Sequence, residues 1–160
     1  MSEFTSPVPI PALDAVDPGV YREIYGMPAF VTVPTGDLEA SKDFWIRGLG
    51  FIDLFSIPDR VCHLRRWAFQ DVLLVPGTPG PSFVGISFSA VVAQLDELVK
   101  QCEALVPGCT DGPHEMPWNS LDLTVTTPEG ARVVMTAARP LDPNGPQAAY
   151  LREGGITIPE

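Results

Sequence analysis

Hydrophobic and polar positions along the first half of the chain change period several times. Residues 29–33 are rich in β-forming side chains and end at the breaker cluster Pro34–Gly36. Apolar side chains then recur at helical spacing after Asp37, which is placed to cap the helix, until Gly48 and Gly50 end it. The next segments read as three strands, at 51–57, 61–69 and 72–75.

The same order of elements returns in the second half. Residues 83–88 predict a strand, and a helix follows from about Val92 to Pro107-Gly108. A loop over 111–117 leads to strands at 121–125 and 132–135. We therefore predict an α+β fold in which tandem βαβββ modules form a cupped mixed β-sheet with the helices outside.

Proline and glycine mark the expected boundaries between these units. The chain holds 14 glycines and 18 prolines, concentrated between the periodic segments. The predicted organisation is an extended arm (1–27), a first module (28–76), a linker (77–81), a second module (82–138) and a C-terminal tail (139–160).

The charge balance restricts the partners of the protein. Asp and Glu number 20 against 10 Lys and Arg in 160 residues, a formal net charge of −10. Nucleic acids and anionic membranes bind clustered cationic surfaces, so neither is an expected partner. A small-molecule ligand, neutral or cationic, fits this balance.

The cysteines and the first residues predict a cytoplasmic protein. Met1–Pro7 is polar and acidic, unlike a secretory signal, and no apolar run approaches the roughly 18 residues that span a bilayer. Cys62, Cys102 and Cys109 form an odd set without paired spacing. We expect reduced, structural thiols.

Two segments resemble signatures of the vicinal oxygen chelate superfamily, which includes glyoxalase I, extradiol dioxygenases and the fosfomycin- and bleomycin-resistance proteins. The first runs from Val33 to Ser41 and continues through Phe44-Trp45 and 48–51. The second comprises Pro117-Trp118-Asn119, 122–125 and Thr127–Gly130, and is similar to the bleomycin-resistance-like branch. The resemblance covers about residues 28–138 and implies the repeated module, but this fold hosts many different functions.

The resemblance also implies where a metal would bind. Metal-dependent members use ligands from the first and last strands of each module, and these positions fall on Phe30, Leu74, Gly85 and Val134. None of these side chains coordinates a divalent cation, so we expect neither metal nor other cofactor. His63, His114 and Glu115 are the alternative ligand set and would need a new arrangement.

Strand alternation predicts an aromatic, weakly polar cleft suited to a flat organic ligand. His63, Arg65, Trp67 and Phe69 should share one face of the third strand, and no carboxylate partner for His63 is evident. Asp122 is either a structural carboxylate or a counter-charge for a cationic ligand, and the two strand-three aromatics could instead pack at a subunit interface. The predicted ligand-binding set is Phe30, Thr32, Phe55, His63, Arg65, Trp67, Phe69, Ser87, Trp118, Asp122 and Val134.

The expected function is metal-free binding of an aromatic natural product such as an antibiotic, giving resistance by sequestration without covalent chemistry. The resemblance implies a homodimer with ligand crevices between the two chains. One alternative is an enzyme of the same superfamily (a lyase, isomerase or dioxygenase) with displaced metal ligands or with His63 or Asp122 as a base. The other is a biosynthetic accessory protein.

Overall fold

The first half of the chain forms one βαβββ module in the computed structural model, which describes residues 11–22, 30–79 and 85–153. Its elements are β1 (Val31–Thr35), α1 (Leu38–Arg47), β2 (Ile52–Ile57), β3 (Val61–Arg65) and β4 (Asp71–Pro76). Asp37 caps α1 as predicted, because its Oδ1 accepts a hydrogen bond of 3.0 Å from the Ala40 backbone N–H.

The second half repeats this order and then adds a helix. Its elements are β5 (Ile86–Ala90), α2 (Leu95–Leu105, preceded by a 3₁₀ turn), β6 (Thr110–Met116), β7 (Ser120–Thr126), β8 (Arg132–Ala138) and α3 (Pro146–Glu153). The predicted α+β fold with a repeated module is confirmed.

Each module forms a four-stranded mixed sheet, in the order β1-β4-β3-β2 and β5-β8-β7-β6. The first strand of each module pairs in parallel with its last strand, and the other pairs are antiparallel. Since side chains alternate across a strand, one face of each sheet packs on the core and the other carries the predicted cup.

Three predicted segments differ from the structure. β3 ends at Arg65 instead of 69, because the backbone turns there and Phe69 has a φ of 62°. The predicted loop over 111–117 is mostly strand β6, whose register shifts between Asp111 and His114 to accommodate Gly112-Pro113 at the sheet edge. The predicted tail contains α3. The linker and both module starts fall partly outside the described residues.

A single hydrophobic core joins the two modules. Trp45, Phe51 and Phe88 meet edge to face, with ring centroids 5.1 to 6.3 Å apart, and Phe88 belongs to the second module. Helices α1 and α2 also approach each other closely. A Cβ added to Gly48, at the end of α1, would lie 3.3 Å from Cys102 Sγ on α2. The packing therefore fixes one module against the other.

A buried carboxylate ties α1 to the turn between β7 and β8. Glu129 is 8% exposed, and its Oε1 accepts a hydrogen bond of 2.7 Å from Trp45 Nε1. Its Oε2 accepts one of 2.9 Å from Ser41 Oγ, which is 2.7 Å from Thr35 Oγ1. Both carboxylate oxygens are thus used across the module junction, which compensates for their burial.

Arg66 forms a second link between the modules. It is 2% exposed, donates to the Ser89 backbone carbonyl, and places Nη2 2.8 Å from Gln94 Oε1. Its guanidinium also stacks over Trp67, 4.3 Å from the ring centroid. Burial lowers the pKa of Arg66 to about 10, so the side chain stays charged at neutral pH.

Replacing Glu129 should destabilise the fold strongly. Glu129→Ala leaves the buried Trp45 N–H and Ser41 hydroxyl without their acceptor, and we expect the free energy of unfolding in urea to fall by about 2–4 kcal/mol. Because Trp45→Phe removes the N–H and keeps most of the ring, the double variant should lose less than the sum of the two single changes.

The control is Glu97→Ala on α2, whose carboxylate is exposed and bonds only Gln101 among the described contacts. We expect a change below about 0.5 kcal/mol there. Equal losses in Glu97→Ala and Glu129→Ala would contradict the role given to the buried carboxylate.

Candidate functional site

A cavity of about 400 Å³ lies where the two modules meet, and we call it the junction cavity. The start of β1, the turn between β3 and β4, and β5 form its walls. Three predicted ligand-binding residues line it, namely Phe30, Phe69 and Ser87. Their side chains come from three separate elements, so the cavity depends on how the modules are placed.

Aromatic side chains surround the cavity and the adjoining sheet face. Phe30 is 44% exposed, Phe55 57% and Phe69 68%. The Phe30 ring meets His63 edge to face at 5.0 Å, and Phe55 on β2 lies opposite His63 in the strand register. Thr32 is exposed on β1. This face presents ring surfaces to solvent, as alternation predicted, and can stack a flat ligand.

His63 does have a carboxylate partner, so that expectation was wrong. Its Nε2 lies 2.7 Å from Asp71 Oδ1, and Arg65 Nε donates to the same oxygen at 2.7 Å. The Arg65 and Asp71 side chains are 2% and 0% exposed. Asp71 Oδ2 is buried without a hydrogen-bond partner, which leaves an acceptor at a residue that lines the junction cavity.

Sequence reasoning missed Asp71 because it placed the residue in a turn. Asp71 opens β4 and pairs directly with Arg65, while Leu73 pairs with His63. Counting the hairpin register from these pairs would have put the carboxylate on the His63 face. Gln70 and Ser89, which also line the cavity, were absent from the predicted binding set.

The turn after β3 separates the four residues predicted to share one strand face. Gln70 N donates to Trp67 O and Arg66 N to Gln70 O, each at 3.1 Å, which closes this turn. Phe69 therefore faces the junction cavity, whereas Trp67 lines a second cavity. Their predicted common face with His63 and Arg65 was wrong, because alternation ends where the strand ends.

Three predicted residues lie on the second sheet and line neither cavity. Trp118 is 47% exposed in the turn between β6 and β7, and Val134 is 7% exposed on β8. Asp122 on β7 accepts a hydrogen bond of 2.6 Å from Ser120 Oγ. These three side chains are therefore not part of the cavity that Phe30, Phe69 and Ser87 line.

The donor set at the family's metal positions does not fit a metal. Phe30, Gly85 and Val134 carry no coordinating side-chain atom. Leu74, which the resemblance implies as a metal position facing the cup, is instead fully buried in the core. Its neighbours Leu73 and Val75 occupy the other face and also lack donors.

The alternative metal set is not assembled either. His63 pairs with Asp71, His114 with Asp111, and Glu115 accepts from Arg139. Within residues 11–22, 30–79 and 85–153, no group of three or more His, Cys, Asp or Glu side chains has an arrangement that could hold a metal ion.

All three cysteines are buried as free thiols. Burial raises the pKa of Cys102 to about 12 and also raises that of Cys109. None of them lines the junction cavity. Across the described ranges, no helix is long and apolar enough to cross a membrane.

Comparison with known proteins identifies relatives only by structure. No protein-family model matches the sequence, and no curated protein matches it. An integron cassette protein from the mobile metagenome of the Halifax Harbour sewage outfall is 24% identical, with a TM-score of 0.57 over 71% of this chain and 99% of that one. A lactoylglutathione lyase from Agrobacterium tumefaciens is 18% identical, with a TM-score of 0.56 over 71% and 95%.

A glyoxalase/bleomycin resistance protein from Streptomyces sp. CB03234 is 22% identical, with a TM-score of 0.53 over 69% of this chain and 99% of that one. At these identities the likeness establishes the fold, which is the glyoxalase fold with its repeated βαβββ module, and leaves the activity to the site itself.

The buried Asp71 should matter far more than an exposed aspartate with the same kind of partner. Asp71→Ala removes the carboxylate beside the buried Arg65, and we expect the free energy of unfolding to fall by about 3–5 kcal/mol. Asp111→Ala breaks an equally short pair with His114, but those side chains are 77% and 63% exposed. A change below about 1 kcal/mol is expected there, and similar losses in both variants would refute the distinction.

The thiols should be unreactive in the folded protein. At pH 8 we expect negligible labelling by Ellman's reagent, because the thiolate is the reactive form and all three groups are buried. All three should react once guanidinium unfolds the chain. Rapid reaction of any thiol in the native protein would contradict a purely structural role.

Proposed function

We propose that the protein binds a flat, partly aromatic natural product at the mouth of the junction cavity and releases it unchanged. The observation that carries this proposal is the pair of exposed rings, Phe30 and Phe69, that line the cavity, with Phe55 exposed on the adjoining sheet face. The family's metal positions in this chain carry no donor atoms. Such a protein protects its host from an antibiotic by sequestration, the role suggested by the resemblance to bleomycin-resistance proteins.

The energetics favour stacking as the main source of affinity. The free energy of binding becomes more favourable by about 25 cal/mol for each Å² of exposed ring surface that a ligand covers, and each well-oriented aromatic pair adds about 0.5–1.5 kcal/mol. Phe30 is held in place by its edge-to-face contact with His63. A pre-positioned ring loses less side-chain entropy when the ligand binds, which improves affinity.

Polar groups beside the rings define the chemistry of the ligand. The exposed Ser87 and Ser89 hydroxyls border the cavity and can accept hydrogen bonds, whereas the Asp71 side chain beside them is fully buried. A ligand that carries an N–H donor, neutral or cationic, complements this set. The net charge of −10 adds a favourable long-range field for a cation.

The size of the cavity supports a site completed by a second chain. At about 400 Å³ it is near the lower end of the roughly 300–1,000 Å³ typical of ligand pockets. Phe55 and Ile57 on β2 extend the exposed apolar face beyond it. We therefore include in the proposal a homodimer whose crevice covers the part of the ligand that one chain leaves exposed.

The His63–Asp71 pair favours a second candidate, a metal-free enzyme that uses general acid–base chemistry. Because the carboxylate accepts from Nε2, Nδ1 is the acceptor nitrogen of the neutral ring and can receive a proton from a substrate. Arg65, however, donates to the same carboxylate oxygen, so Asp71 is shared with a buried structural ion pair and is not dedicated to His63. We therefore favour binding without chemistry.

Titration calorimetry with daunorubicin, a flat cationic intercalator, tests the proposal. We expect saturable binding, and a loss of affinity of about tenfold in Phe30→Ala or Phe69→Ala because a stacking surface is removed. Tyr150→Ala is the matched control, since this ring is 50% exposed on α3 outside the cavity. Equal affinity in all four proteins would exclude the proposed site.

Mass spectrometry and proton NMR of the recovered ligand separate the two candidates. The binding proposal predicts an unaltered mass and an unaltered NMR spectrum after prolonged incubation, and the spectrum is needed because an isomerised ligand keeps its mass. A changed ligand whose formation is lost in His63→Gln would instead establish the enzyme.

A further inference from the structure

A second cavity of about 810 Å³ lies between the N-terminal arm and the body of the protein, and we call it the arm cavity. One side is formed by arm residues from Pro11 to Tyr21, and the other by Trp67 together with β5 and the end of β8. The solved relatives are matched over 95–99% of their length by about 70% of this chain. More than a quarter of this chain is thus additional to them, and strands β1 to β8 occupy only residues 31–138.

Specific contacts hold the arm over this cavity. Gln94 Nε2 donates to Asp17 Oδ2 at 2.9 Å, and Arg65 Nη1 donates to the Tyr21 carbonyl at 3.0 Å. Asp17 Oδ1 also accepts from Gly19 N, where a φ of +75° turns the chain. The arm is therefore tethered at Asp17 and at Tyr21, with the cavity between it and the sheets.

The lining contributed by the described residues is mostly apolar. Among the described residues none of the lining side chains is charged, and the polar ones besides Tyr21 are Gln70, Ser89 and Thr136. The nearby Arg66 is buried and engaged with the Ser89 carbonyl and Gln94. Its guanidinium stacks on the Trp67 indole, and this contact keeps the ring in place in the cavity wall.

We propose that the arm cavity is a second binding site, adjacent to the junction cavity, which takes a neutral apolar molecule built on aromatic rings. The two cavities share Ala68, Gln70 and Ser89 as lining residues. Its volume lies within the range of drug-sized ligand pockets, and a charged ligand would be desolvated against this lining without a partner. Because the arm is tethered over this space at Asp17 and Tyr21, a small molecule fits it better than a docked protein segment. Binding here does not require the proposed function of the junction cavity.

The probe is N-phenyl-1-naphthylamine, which is neutral and fluoresces strongly only out of water. We expect saturable fluorescence enhancement with one molecule per chain. Ala138→Phe, which fills the arm cavity from the end of β8, should weaken binding by about tenfold or more. Ser87→Phe fills the junction cavity instead and should change the affinity by less than about twofold.

The arm itself is tested with two aspartate variants of equal charge. Asp17→Ala removes the tether to Gln94 and should raise the dissociation constant by about threefold or more. Asp14→Ala changes an exposed arm residue whose side chain makes no hydrogen bond or ion pair with the described part of the chain, and this variant should bind as the parent does. Circular dichroism verifies that each variant is folded.

Three outcomes would overturn the proposal. They are the absence of saturable enhancement, an unchanged affinity in both Ala138→Phe and Asp17→Ala, and a loss confined to Ser87→Phe. A concentration-dependent dimer that Ala138→Phe abolishes, with no probe binding, would show that a second copy occupies this surface. Because daunorubicin and this probe are assayed separately, failure of either site leaves the other result readable.

Discussion

The Glu129 carboxylate, buried between the two modules, is the contact on which the position of the candidate site most depends. Its two oxygens accept from Trp45 and Ser41 on α1, so the turn between β7 and β8 is fixed against the first module. An ion in this place is stable only because both oxygens have donors. Its geometry therefore sets the relative position of the modules.

Both cavities depend on that position. The junction cavity takes Phe30 from the first module and Ser87 from the second, and the arm cavity combines Trp67 with Thr136. Arg66 adds a second link to the Ser89 carbonyl. A small shift of one module relative to the other would change the shape of both cavities, although the strand register within each sheet would stay the same.

Local patterns were enough to predict most of the fold. Strand alternation assigned Ser87 to the cleft, and the structure places it on the exposed face of β5. The helix cap at Asp37 also followed from spacing. These features depend on residues within one element, which sequence periodicity reports directly.

The missed residues act between elements. In the sequence Glu129 was noted only within the Thr127–Gly130 segment, and its partners lie 84 and 88 positions away. Asp71 was separated from His63 by an uncertain strand end, and the turn that redirects Trp67 and Phe69 depends on a positive φ at Phe69. Periodicity carries no information on such long-range contacts, and propensity places a strand end only to within a few residues.

We propose that stacking and hydrogen bonding at the junction cavity, without a metal, bind an aromatic ligand. The sharpest test is the dissociation constant for daunorubicin, measured after exhaustive chelation and again after the protein has been incubated with Mn²⁺, Fe²⁺, Ni²⁺ or Zn²⁺ and the unbound metal has been removed. Because Phe30, Leu74, Gly85 and Val134 occupy the family's metal positions and carry no donor atoms, the affinity should be the same in every case. Binding that disappears on chelation and returns with one metal would contradict the account.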